Sequence, residues 1–400
     1  MPFKVPIIYR YVLREIAAPF LITLFTLTGL LFLIQVLKLM ELVVDRSVPF
    51  IDILRLFSYV VPQFLELAIP MAVLIGVIVA LGRLSADSEI VAMRSSGIPI
   101  SKLSRPIFFF SSFVFVGAIV TTFYLAPWAN YRLGQGLFEL AKSQATAGLS
   151  SGVFNDFGKL TIYAEGVTEE SRRLLNIVIE DKREADKERV IIANHGQVVP
   201  DDSARKLMLR LFDGSIYEGR TRDFNLTYFD INTLELPHSE LADDDSAMRG
   251  KKAREMPGPE LFQTVFNQQV PVSTDLEAVQ ERRQLRLEIH RRIAFVFVPF
   301  LVAVVALALG VQPSRASNSW GGGVSVGIGI IVIIIYYVSF AFLTALAEQG
   351  LMPAVLSAWI PNALLLGLGL YMFHMVREER WSSVSQALGN LLAVIGHLRK

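Results

Sequence analysis

Five arginines crowd the stretch ERRQLRLEIHRR, residues 281–292, just ahead of an apolar run. Arg282, Arg283, Arg286, Arg291 and Arg292 supply guanidinium groups, which pair bidentately with phosphate. Two readings are open. One is a solvated helix end with a Glu288–Arg292 pair at i,i+4. The other is an anion-binding rim for a phosphorylated lipid, which Lys38 and Arg46, at the end of the first apolar run, could join. A second feature is RLSADSEIVAMRSSGIP, residues 83–99, with Glu89 in its middle. It is too polar to enter a membrane, yet it has the length of a helix, and Gly97 and Pro99 mark its stop. On one continuous helix Ser85, Glu89, Ala92, Met93 and Ser96 share a side, a face of small residues around one acid and one exposed apolar side chain. It is either an extension of the preceding apolar run or a docking knob for a cytoplasmic protein. Glu66 is the main ionisable group deep within an apolar run, a functional candidate by its position. A single acid with no evident partner makes a poor proton relay, so a capped or water-exposed carboxylate is the alternative.

Composition narrows the chemistry further. The chain has 400 residues, of which 52% are hydrophobic and 19% charged, with a mean hydropathy of +0.46. A soluble protein of this length carries more charge, so membrane residence is the first inference. The net charge of +1 gives no global field to attract nucleic acid. No cysteine is present, which removes disulfides, thiolate zinc sites and cysteine nucleophiles together. The five histidines are scattered without metal-ligand spacing. There is no phosphate-binding loop, no HExxH and no GxSxG elbow, so the sequence names no catalytic residue, metal or cofactor. If the chain does work, a partner supplies the energy.

The elements that must position these residues are membrane helices. A hydrocarbon core of about 30 Å needs roughly 20 apolar residues as a helix. Six stretches qualify, near 16–36, 53–81, 103–125, 293–311, 324–345 and 354–374. Gly323 and Gly327 form a small-xxx-small pair, expected to allow close helix packing. Between the third and fourth stretches lie short β-rich runs such as LLNIVIEDKR and RVIIANHGQVV, set off by turn signals including Asn155-Asp156, His195-Gly196 and Asp213-Gly214. They predict one all-β sandwich or jelly-roll inserted into a 3+3 helical arrangement. LADDDSAMRGKKAREMP, residues 241–257, is charged and poor in large apolar residues, which predicts a loop. Lysine and arginine concentrate in the short loops on the side of both termini, which puts residues 83–105 in the cytoplasm and the β domain outside.

In this order and spacing, LGRLSADSEIVAMRSSGI, GVFNDFGKLTIYAEGV, ANHGQVV…LRLFDGSIYEG, LRLEIHRRIAFVFVPF, LALGVQPSR and AWIPNALLLGLGLY resemble the LptF/LptG family of lipopolysaccharide-export permeases across essentially the whole chain. RLFDGSIYEGRTRDFNLTYFD leans towards the F paralogue. The resemblance implies an α-helical membrane protein with six transmembrane helices (3+3) and an inserted all-β periplasmic jelly-roll. Helices 1–3 would occupy 1–127, the jelly-roll 128–285, helices 4–6 286–376 and a cytoplasmic tail 377–400. It implies a non-catalytic permease of an ABC exporter, paired with a paralogous permease over a cytoplasmic ATPase dimer. Such a permease draws lipopolysaccharide from the outer leaflet of the inner membrane and passes it to a single-span periplasmic bridge protein. The segment near 83–97 then becomes the coupling helix, with Glu89, Ser85 and Met93 towards the ATPase. Lys38, Arg46 and Arg292 become lipid-binding candidates, and Glu288 with Arg292 a structural acid–base pair. The alternative is a membrane-anchored receptor whose outer β domain binds a ligand without transport.

Overall fold

The computed structural model describes residues 7–43, 50–97, 100–147, 152–156, 159–168, 173–183, 189–201, 206–220, 223–236, 253–266, 276–311 and 322–377. Six helical stretches are long and apolar enough to cross a membrane: Ile7–Leu37, Ile51–Ala86, Lys102–Leu140, Val279–Gly310, Gly323–Glu348 and Ala354–Val376. The expected 3+3 arrangement with an inserted β domain is borne out. Helices serve here because each satisfies its own backbone hydrogen bonds where no water is available. The helical unit contains α1 (Ile7–Val43), α2 (Phe50–Ala86), the short α3 (Glu89–Ser95) and α4 (Ile100–Val120). A π-helical turn at Thr121–Leu125 leads from α4 into α5 (Ala126–Ala147). After the β domain come α6 (Gly258–Phe266), α7 (Leu276–Gly310), α8 (Gly322–Glu348) and α9 (Ala354–Arg377).

The centre of this unit is set by α2 and α7. The most apolar window of α7 is 78% buried and that of α2 is 61% buried, against none of that of α1. Val73, Val77 and Leu81 of α2 share one core with Val298, Val302 and Val305 of α7. Gly310 permits the closest approach, since a Cβ there would lie 2.6 Å from Leu81 Cβ. The expected Gly323/Gly327 contact is not made among the described residues. A Cβ at either position would meet nothing within 4 Å, and it is Gly329 that faces Ile78 of α2.

Residues 131–252 form the second compact unit. Its described strands are β1 (Phe154–Asp156), β2 (Leu160–Val167), β3 (Arg173–Asp181), β4 (Arg189–Asp201), β5 (Lys206–Arg220) and β6 (Asp223–Leu236), antiparallel and in sequential order. One face buries Leu160, Ile162, Ile177, Ile179, Ile191 and Leu209 together with Phe138 of α5. The unit is narrower than the 128–285 expected from sequence, because the described residues 253–266 and 276–285 group with the helices. The supposed turn signals Asn155-Asp156, His195-Gly196 and Asp213-Gly214 lie inside strands. Asp213 adopts φ 51, and the ladder to β4 passes from Phe212 to Gly214 without pairing it. The register is the same on both sides of this gap, so the left-handed residue interrupts one pairing without shifting the alternation, and the apolar set stays on one face. Gly214 is required there, as a Cβ would lie 2.3 Å from Ile192 O. The charged stretch expected as a loop lies outside the described residues up to 252, as does the tail beyond 377.

Candidate functional site

The polar link after α2 is not one continuous helix. Ser88 adopts φ 60 and ends the run of α2, and α3 begins afresh at Glu89. The left-handed residue turns the chain at a cost that few non-glycine residues bear. This break corrects the single-face expectation. Ser85 belongs to α2, is buried, and donates to Gly310 O at 3.3 Å, so it cannot face a partner. Met93 packs inward beside buried Ile90 on the main core. The outward side of α3 instead presents Val91, Ala92, Arg94 and Ser95. Gly97 at φ 80 closes the helix as expected. Glu89 sits at the inner edge of the exposed side, and Tyr11 of α1 donates its hydroxyl to the carboxylate at 2.8 and 2.9 Å. Beside it Arg83 reaches Glu15 of α1 at 3.2 Å and Asp87 at 3.8 Å.

The arginines ahead of the fourth span divide into two kinds. Arg286 is exposed and Arg283 donates to Glu348 O at 3.3 Å. Arg291 and Arg292 turn inward with Glu288, as residues at i, i+3 and i+4 must on one helix. Arg292 is 1% exposed. Its Nε donates to Glu288 at 2.7 Å, while its two terminal nitrogens donate to Met256 O at 2.6 Å and Ala253 O at 3.0 Å. That corrects its placement on a lipid-binding rim, because a guanidinium with every nitrogen engaged and no exposed surface cannot receive a phosphate. It holds the segment returning from the β domain onto α7. Arg291 grips Glu288 through two bonds of 2.8 Å and stands 3.8 Å from Glu66 of α2. Glu66 thus has an ionic partner, contrary to the expectation of a lone acid. Two carboxylates and two guanidiniums form a group without net charge, which is how charges are buried without a prohibitive desolvation penalty. Next to it Tyr337 of α8 donates to Leu67 O at 2.9 Å.

A profile of the lipopolysaccharide export system permease LptF/LptG matches residues 10–375. The chain belongs to that family. It is 24% identical over 372 residues to the lipopolysaccharide export system permease protein LptF of Escherichia coli strain K12, covering 91% of this chain and 93% of that one. The LptF of Shigella flexneri matches with the same identity and coverage. An uncharacterised protein of Rickettsia prowazekii is 22% identical over 306 residues, covering 76% of this chain and 81% of its own.

Within this LptF/LptG permease the two charged regions lie at different places in the helical unit, one at the α2–α3 link and one where α7 meets the 253–266 segment. Lys38 falls in α1, but its side chain and the whole of Arg46 lie outside the described residues. Among the described residues no group of three histidine, aspartate or glutamate side chains converges as for a metal. Tyr11 is no candidate from sequence, and Arg291 stands there only as one of five arginines. The i, i+3, i+4 spacing of Glu288, Arg291 and Arg292 was visible, whereas their convergence on Glu66 joins helices far apart in the chain. Tyr11 carried no signal, since a tyrosine near the start of an apolar run is ordinary.

Proposed function

We propose that this chain is the permease subunit of an ABC exporter that withdraws lipopolysaccharide from the outer leaflet of the inner membrane and passes it towards a periplasmic bridge. The observation that carries this is the family match running from residue 10 to residue 375, which takes in all six apolar helices, the link helix and the inserted sheet. In this reading α3 is the element on which a cytoplasmic ATPase dimer docks. Its break from α2 and its exposed outer side support that role, and Glu89 stands at the edge of the same surface. The basic residues gathered on the side of both termini support a cytoplasmic α3 and a periplasmic β unit. A paralogous permease completes the lipid path, and a single-span bridge protein receives the lipid. With Arg292 sequestered, the phosphate-binding candidates that remain at the outer end are Lys38 and Arg46.

The test is purification from native membranes in mild detergent followed by reconstitution with lipopolysaccharide. An ATPase and a second permease should copurify, and added ATP should drive lipid onto the bridge protein. A reporter fused near Ala247 should be active only when exported. A chain that purifies alone and moves no lipid, or a reporter active in the cytoplasm, would overturn the proposal.

A further inference from the structure

Helix α3 is joined to α2 only through a left-handed residue, so its direction depends on what it touches. Inward, Ile90 and Met93 seat it on the core of the helical unit. Sideways, the Tyr11 hydroxyl ties it to α1 through the Glu89 carboxylate, at 2.8 and 2.9 Å. A second tie runs in parallel, because Arg83 bridges Glu15 of α1 and Asp87 in the turn ahead of α3. Both ties land within the first turns of α1. There Val12 and Ile16 are fully buried, whereas the most apolar window of the same helix is buried nowhere. Helix α1 is therefore buried most deeply at the link end, while further along Phe20 packs against Gly76 of α2 and Phe110 of α4, and Phe32 against Phe57 of α2. A displacement of α3 would be carried into the first turns of α1, ahead of Pro19.

We propose that Tyr11 is a positioning residue that locks Glu89 to α1 and so passes movement of α3 into that helix. The inference rests on the reading of α3 as the ATPase-docking element. A carboxylate accepts a stronger hydrogen bond than a neutral oxygen does, so one hydroxyl makes a firm link. Tyr11 is 37% exposed, so the loss of its hydroxyl leaves no buried group unsatisfied and does not threaten folding.

The experiment uses the intact transporter with its ATPase in proteoliposomes, and reads lipid released per ATP hydrolysed. Tyr11→Phe should lower that ratio about 3- to 10-fold, the range expected for one hydrogen bond of modest net strength, with the ATPase still bound. The double variant Tyr11→Phe/Glu89→Ala should be no worse than Glu89→Ala alone, because residues that act as one link do not add. Tyr11→Lys, which offers Glu89 a donor of similar reach, should recover most of the ratio. If Tyr11→Phe is normal while Glu89→Ala fails, Tyr11 transmits nothing and the docking role of α3 stands. If Glu89→Ala is also normal with the ATPase bound, both readings fall. Loss of the ATPase from Tyr11→Phe would likewise overturn transmission, since the hydroxyl would then belong to the docking surface.

Discussion

Replacing Arg292 with methionine should open the 253–266 segment while leaving most of the helical unit intact. The substitution keeps an apolar stem of similar length and removes three hydrogen bonds. Glu288 is not abandoned, because Arg291 still holds it through two bonds of 2.8 Å. Arg291 then serves both Glu288 and Glu66, so part of the roughly 3–5 kcal/mol penalty for a buried charge without its own partner is added to the cost. The rest of the cost falls on Met256 O and Ala253 O, each losing a donor worth roughly 1–3 kcal/mol. Contacts of Leu261 with Leu285 and Ile289 remain to hold α6, so a net cost of about 2–4 kcal/mol is expected for opening this segment. Since about 1.4 kcal/mol is a factor of ten, amide hydrogen exchange across 253–266 should accelerate at least about 30-fold in detergent. Glu288→Leu is the contrasting variant. It strands two buried guanidiniums, of which only Arg291 has another carboxylate near, at 3.8 Å, so it should lower the thermal midpoint of the whole unit. Wild-type exchange at 253–266 in a folded Arg292→Met protein would refute the assignment of Arg292 as the clasp.

Asp181 at the end of β3 offers a pH test. Burial raises its carboxyl, but the hydrogen bonds and charge of Arg183, with Oδ2 at 2.6 Å, outweigh that and hold it below the usual range. Its contribution is therefore complete above the unfolded value near ~4 and is lost as pH falls through the lower folded value. The protection factors of β3 amides, corrected for the intrinsic pH dependence of exchange, should fall on acidification in the wild type, while Asp181→Asn should start lower at neutral pH and change less. Gly310→Val should force α7 from α2, because even a Cβ falls 2.6 Å from Leu81 Cβ, and should cost at least about 1–3 kcal/mol as an overpacked contact; the thermal midpoint in detergent checks this. Lys38→Glu with Arg46→Glu should weaken crosslinking to lipopolysaccharide and leave the remaining crosslinking less sensitive to salt, whereas Arg286→Glu, distant in sequence from that end of α1, should alter it less.

The six spans, the inserted β domain and the family were legible from residue order alone. Apolar runs of sufficient length admit few structures in lipid, and alternating runs between turn-forming residues admit few others. The stop at Gly97 and the Glu288–Arg292 pair also follow from local rules, for helix ends and helical periodicity act over a few residues. Other features were decided by contacts between distant parts of the chain. Nothing around Ser88 announced that it would turn left-handed, so Ser85 and Glu89 were placed on one face although a break separates them. Asp213-Gly214 carried the composition of a turn, yet pairing on both sides drew it into a strand whose register runs on unshifted past Asp213. Arg292 looked like a surface cation because charge in a sequence is normally solvated. Its burial became possible only when the fold delivered Glu288 and the carbonyls of Ala253 and Met256 to the same point, and desolvation is repaid by partners that no local pattern can supply.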